Sequence, residues 1–308
     1  MELTNEQRRC MGMDMIFSSW DRVEIEHGVI VYFDEDTIRK IIMEDDKSYR
    51  EISITTRTTE NRTMLCPKTS RGKVKKLTAA NLTKLSGEGV YFNYSGGHVI
   101  IANLSTQLTY YSSRLAGIES MAWDSLQKFL DRWVEDTDSN ELKKINEFAN
   151  AKRMHCKFQE GDFFRFPIDR THYGYGRILL DVEKMRKNGE KFWNILMGKP
   201  VVAAVYHIIT EDQNVDIEIL KRLKSCPSQY VMDNAFYYGQ YKIVGHEELP
   251  DDIDYPIMYG RSISYTDPDK IMFQRGHTYK EIPLKGNVVV PGDFRNNGIG
   301  WTLKQMHC

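Results

Sequence analysis

Gly161-Asp162-Phe163-Phe164-Arg165-Phe166-Pro167, followed by Tyr173-Gly174-Tyr175-Gly176-Arg177-Ile178-Leu179-Leu180, reads as two arms of a β-hairpin. In the first arm Phe164 and Phe166 alternate with Phe163 and Arg165, the period of a strand, and Pro167 ends it. Asp169-Arg170-Thr171-His172 supplies polar turn chemistry. The glycines at 174 and 176 lack Cβ, so another backbone or a large ring can lie against the return arm.

Working outward toward the C-terminus, residues 192–197 and 201–210 predict a strand pair turning at Gly198-Lys199-Pro200, the second arm apolar enough to lie inside a sheet. Residues 217–223 predict a short helix, and 236–245, 259–265, 270–273 and 288–290 return to strand. With so little helix, this half is expected to be mostly β, a strongly bent sheet or small barrel. Toward the N-terminus, Thr4 with Gln7 three positions on marks a short capped helix over 4–12. Residues 23–25, 29–33, 38–43 and 49–59 follow as strands punctuated by Gly28 and acidic turns, and 78–85 as a short helix. Ser95-Gly96-Gly97 between 90–94 and 99–104 is a tight-turn signal. Ile118, Met121, Ala122, Leu126, Phe129, Leu130 and Trp133 recur every three or four positions, predicting an amphipathic helix that ends near Asp136. A second helix capped by Ser139 leads to Lys152-Arg153. The expectation is an α+β protein of two domains: 1–152, an antiparallel sheet with packed helices and no assigned role, and 153–308.

The Gly-Asp-aromatic strand, the Tyr-Gly-Tyr-Gly-Arg strand and the downstream Tyr241-Lys242-Ile243-Val244-Gly245-His246 together resemble the immunity protein 26 family, over roughly residues 157–285. That resemblance implies a bacterial, non-catalytic protein that binds and neutralises a cognate polymorphic toxin, its partner being a protein domain. Nothing before residue 150 contributes to it. The same family grouping includes a protein described as a phosphotriesterase, so a metal-dependent hydrolase is the competing class.

The charge balance gives neither class help. Forty-two basic and 43 acidic side chains leave a formal charge of -1, so no global field selects nucleic acid or an acidic membrane. Cys10, Cys66, Cys156, Cys226 and Cys308 are odd in number and widely spaced, which points to free thiols in a reducing compartment. The first residues hold no apolar signal core and no window is long and apolar enough for a membrane helix; the expected location is the cytoplasm.

Catalytic devices are hard to find. Gly174-Tyr175-Gly176 and Gly96-Gly97 lack the third glycine and the lysine of nucleotide-binding loops, and there is no Gly-x-Ser-x-Gly elbow. His246-Glu247-Glu248 lacks the second histidine of a zinc protease motif, and His155-Cys156 are neighbours that a strand would point to opposite faces. Cys156 beside His155 and Lys157 is a nucleophile only if geometry supplies a base. Asp162, His172, His207 and His246 remain candidates for convergence on a metal, against the plainer reading of ordinary polar contacts. No cofactor is expected.

Three surfaces remain. Lys68, Arg71, Lys73, Lys75 and Lys76 form a basic loop without interleaved aromatics, the alternative being a nucleic-acid-binding factor. Glu247, Glu248, Asp251 and Asp252 open an acidic run that can mimic nucleic acid toward a basic nuclease or steer association. Tyr173, Tyr175, Trp193, Tyr237, Tyr238, Tyr241, Tyr259 and Tyr265, with Arg165, Arg177 and Arg261, are the residue types that dominate interface energies. The partner-contact candidates are therefore Asp162, Arg165, Tyr173, Tyr175, Arg177, Tyr241, Glu247, Glu248, Asp251 and Asp252.

Overall fold

The computed structural model describes residues 1–67, 71–114, 116–189, 198–226 and 228–250, together with three later strands, Ser262–Ile263, Lys270–Arg275 and Thr278–Pro283. The chain divides into two compact units, Met1–Lys152 and Arg153–Cys308.

The first unit opens with α1 (Asn5–Met11), where the Thr4 hydroxyl accepts from the Gln7 amide and the Gln7 side chain accepts from that of Thr4, the expected capping box. Strands β1 (Asp21–Glu26), β2 (Val29–Asp34), β3 (Thr37–Asp45) and β4 (Ser48–Arg57) follow as a meander. A small ribbon of β5 (Met64–Leu65) and β6 (Lys75–Lys76) and the turn of α2 (Ala79–Leu82) precede β7 (Glu88–Ser95), β8 (His98–Asn103) and β9 (Leu108–Ser112). Seven strands form one antiparallel sheet in the order β1-β2-β3-β4-β7-β8-β9. A single 3-10 turn (Trp123–Ser125) runs into α3 (Leu126–Glu135), and α4 (Ser139–Ala149) follows.

One sheet face buries Val31, Phe33, Ile38, Ile41, Ile52 and Ile54 with Leu65 and Leu82. Elsewhere in the unit Trp133 of α3 packs edge-on against Tyr111 and donates its indole N–H to the Cys10 carbonyl at 2.8 Å, tying α3 to α1. Two local expectations shift. The helix expected from residue 118 starts only at the 3-10 turn, because Met121 donates to the Gly97 carbonyl while Tyr94 donates to the Met121 carbonyl, holding 118–122 against the β7–β8 hairpin. The cap of α4 is Asp138, which accepts from the Glu141 amide, one residue before Ser139.

Glu51 is fully buried and meets Lys40 Nζ at 2.8 Å, Arg8 Nε at 2.7 Å and the Tyr49 hydroxyl at 2.7 Å. Burial acts to raise its carboxyl, but the Lys40 and Arg8 cations outweigh that and hold it below the usual carboxylate range. The group's contribution to stability is thus present at neutral pH and lost as pH falls through the lowered value.

The second unit contains β10 (Asp162–Pro167), β11 (Tyr173–Asp181), α5 (Val182–Lys187), β12 (Val201–Val205), α6 (Ile217–Leu220), β13 (Gln229–Val231), α7 (Asn234–Tyr237) and β14 (Lys242–His246). Its antiparallel sheet runs β13-β12-β11-β10-β14 and is open: among the described residues β13 and β14 are edges, and no barrel closes. The later strands β15 (Ser262–Ile263), β16 (Lys270–Arg275) and β17 (Thr278–Pro283) form a separate antiparallel sheet of three.

The decisive hairpin forms with Phe164 opposite Gly176 and Arg165 opposite Tyr175. A Cβ on Gly176 would lie 2.5 Å from Phe164 Cζ and 2.8 Å from the Ala204 carbonyl oxygen, so glycine is what lets the ring cross the neighbouring strand. All five residues of β12 are buried, and it lies between β11 and β13, inside the sheet as expected. It ends at Val205, short of the expected Thr210; Tyr206 and Thr210 make only isolated bridges, to Ser225 and Tyr173. Residues 236–245 are not one strand either. Phe236 belongs to the turn of α7 and packs against Phe164, the backbone reverses at Gly239 with φ 72°, and β14 begins at Lys242. The strands expected over 192–197 and 288–290, and most of that over 259–265, lie outside the described residues.

Gly176→Ala is expected to destabilise the second unit by about 1–3 kcal/mol, from the forced displacement of Phe164 or β12. Glu51→Gln, which leaves two buried cations uncompensated, is expected to cost about 3–5 kcal/mol and to flatten the acid limb of the stability curve. Urea denaturation of both variants across pH measures both effects.

Candidate functional site

The second unit's sheet carries two buried faces rather than one. Phe164, Phe166 and Ile178 pack with Val201, Ala203, Val205 and Phe236 on one side. Phe163, Tyr175, Tyr206 and Leu220 form the cluster of the other. Tyr175 is therefore wholly buried; its hydroxyl donates to the Asp212 carbonyl at 2.7 Å and accepts from the Val215 amide. Burial pushes that hydroxyl above its usual range.

Arg177 reaches out from this buried layer. Its guanidinium lies 4.6 Å above the centre of the Phe163 ring and donates to the carbonyls of Glu247 at 2.7 Å and Glu248 at 3.2 Å. The side chain is itself buried, so an arginine in the sheet holds the chain just past β14 in place. Lys221 closes the arrangement by donating to the carboxylates of Glu247 at 2.7 Å and Glu218 at 3.0 Å. The hydrogen bond from Lys221, helped by the charges of Lys221 and Arg177, holds the Glu247 carboxyl below its usual range. Both pairs stand near solvent, and their value lies in position more than in stability. Between them opens a groove of about 540 Å³, lined by Arg177, Tyr206, Lys221, Ser225, Glu248 and Leu249 among others.

The Gly-Asp step that opens the hairpin serves the same end of the sheet. Gly161 has φ 93°, and a Cβ there would collide with the Glu247 carbonyl. Asp162 is buried, accepts from the Gln159 amide at 2.8 Å, and meets His246 Nδ1 at 2.7 Å across the β10–β14 pair. Gly161, Asp162 and Arg177 thus all fix the segment that carries Glu247 and Glu248.

The other candidates fall elsewhere. Arg165 stacks over Tyr173 at 5.0 Å and donates to the Gln213 carbonyl, bracing the loop that also receives Tyr175. Tyr241 stacks on Phe164 with ring centres 5.7 Å apart and belongs to the aromatic core. Asp162, Tyr175 and Arg177 are buried and hydrogen-bonded within the unit, while Glu248 is exposed. Asp251, Asp252, Trp193, Tyr259, Arg261 and Tyr265 lie outside the described residues.

Of the four groups considered for a metal, only Asp162 and His246 meet. His172 pairs with Asp169 in the hairpin turn at 2.9 Å, and among the described residues no three His, Cys, Asp or Glu side chains are placed to hold an ion together. Burial, with the charge of Asp162, raises the Cys156 thiol, the opposite of what a nucleophile needs. Arg71, Lys73, Lys75 and Lys76 are exposed, and Lys68 lies outside the described residues. No helix among the described residues is long and apolar enough to cross a membrane.

Arg177→Met keeps the stem over Phe163 and removes the fork. The amides of residues 246–248 should then exchange at least about tenfold faster, since charge-assisted hydrogen bonds contribute on the order of 1.5–3 kcal/mol. Unchanged exchange by mass spectrometry would show that the segment is held by other contacts.

Comparison with known proteins adds one relationship. No curated protein and no solved structure matches the chain. Residues 159–269 match the family model of immunity protein 26, a stretch that takes in the β10–β11 hairpin, β14 and the Arg177-held segment, and that agrees with the resemblance carried by the hairpin sequence.

Proposed function

We propose that this chain is an immunity protein that neutralises a cognate bacterial toxin by binding it, the exposed rim at Glu248 beside the Arg177–Lys221 groove forming part of the contact. The match of residues 159–269 to immunity protein 26 carries the reading. Such a family implies a protein partner and a non-catalytic role.

The local geometry supports a docking rim. Arg177 is the buried post, the Glu247 and Glu248 carbonyls are its fixed points, and the Glu248 carboxylate projects outward from a segment thereby held in one place. Ordering the segment in advance lowers the entropy that association must otherwise overcome. A fixed carboxylate beside an open groove complements a basic toxin surface and speeds encounter. Tyr206, Leu223 and Leu249 supply apolar lining within the same groove. The scattered free cysteines Cys10, Cys66, Cys156 and Cys226 fit a reducing compartment, and we place the protein in the cytoplasm.

The test is kinetic. With the toxin domain purified, Glu248→Lys should slow association about tenfold at low salt while leaving the fold intact by circular dichroism, and the deficit should shrink as salt rises. Equal association rates for the two proteins at low salt would remove this rim from the interface.

A further inference from the structure

The first unit carries a groove of its own, about 750 Å³, that the immunity reading does not use. It lies where the loop after α1 passes beside the strands. Lys40 donates to the Asp14 carbonyl at 2.7 Å, and Asn5 exchanges two hydrogen bonds with the Ile16 backbone, so the loop is pinned at two points. Between and beyond those pins Met15 and Phe17 project outward, 43% and 55% exposed, and Phe17 meets Trp20 edge-on with ring centres 5.2 Å apart. All three line the groove. Flexible methionine beside aromatic rings is a surface suited to accepting apolar side chains of varied shape.

Three further observations define what fits. The backbone ladder between β4 and β7 stops at Ser53 opposite Glu88, so Ile54 and Thr55 of β4, which line the groove, have no ladder partner in β7, although the Thr55 hydroxyl donates to the Glu88 carboxylate at 2.5 Å. Ser53, 3% exposed and also lining the groove, has a buried hydroxyl with no hydrogen-bond partner. A buried hydroxyl without a hydrogen-bond partner is costly, so a ligand group that reaches it gains affinity. Finally, the lining arginines are already spent, Arg9 on Glu6 and Arg39 on Asp34, whereas the Asp14 carboxylate is exposed and interacts with the buried Lys40 cation only as a charge nearby. Glu88, whose carboxylate accepts from Thr55, is another acid of the lining.

We propose that this groove binds an extended peptide segment of a protein partner, lying beside β4 beyond Ser53, with a basic side chain toward Asp14 and an apolar side chain against Met15, Phe17 and Trp20. Strand-like addition to a ladder that ends early supplies the backbone contacts, and the pinned loop supplies selectivity. The inference is independent of the toxin-neutralising reading of the second unit.

A displayed library of random short peptides, panned on the full chain, tests it. Enriched peptides should pair a basic residue with a nearby aromatic or large aliphatic one. Asp14→Lys and Phe17→Ala, both at exposed positions, should each weaken binding of a synthesised winner about tenfold. Glu248→Lys should leave that binding unchanged. Ser53→Ala gives a reading that a purely structural role does not: the free protein melts higher, because an unsatisfied hydroxyl is gone, while peptide affinity falls. No enrichment, enrichment of acidic peptides, or a winner that binds Asp14→Lys and Phe17→Ala as well as the parent would each overturn the proposal.

Discussion

The absence of a side chain at Gly176 is the constraint on which the second unit is built. The Phe164 ring fills the space that even a methyl would need, 2.5 Å from the position of a Cβ, with the β12 carbonyl of Ala204 closing the other side. Because the ring can cross there, three strands come together at normal spacing while Phe164 also touches Phe236 and Tyr241. From that packed layer the alternation of the strands sends Phe163, Tyr175 and Arg177 to the opposite face. The position of Arg177 follows from the register, and the position of the Glu247–Glu248 segment follows from Arg177.

The rim proposed for docking is thus an output of the core rather than a loop placed at will. Buried Tyr175 and half-buried Arg165 hold the stretch around 212–215, and buried Arg177 holds 247–248. Each of these residues donates to backbone carbonyls, which do not change with side-chain identity. Such an arrangement lets the outward side chains on the held segments vary while their positions stay fixed, which would suit the proposed docking role.

Much of the fold was legible because the signals were local. The Thr4–Gln7 capping box, the Ser95-Gly96-Gly97 turn and the Phe-Arg-Phe alternation of β10 each report a geometry settled within a few residues. What misled were the elements settled by distant partners. Residues 118–122 have helical spacing but are held to the β7–β8 hairpin, and 236–245 is rich in strand formers but gives its first part to a helical turn that seats Phe236. Between the expected bent sheet and small barrel the choice is likewise a matter of edges, which composition does not encode, and among the described residues no barrel closes. At the candidate site, tyrosine and arginine read the same way whether they anchor an interface or a core. The distinction for Tyr175 and Arg177 lies in carbonyl acceptors 37 and 70 residues away. The Ser53 groove had no sequence signature, since it arises from where one ladder stops.

Under the proposed immunity role, binding by this chain abolishes a toxin's effect. The most direct test of that role is survival of bacteria expressing the toxin domain that co-purifies with the chain, with and without the chain supplied in trans. Cells should grow when the intact chain is supplied, and the purified, metal-free chain should inhibit the toxin at one-to-one stoichiometry in vitro. Death of the cells despite a stable complex, or protection that requires turnover by the chain, would contradict it.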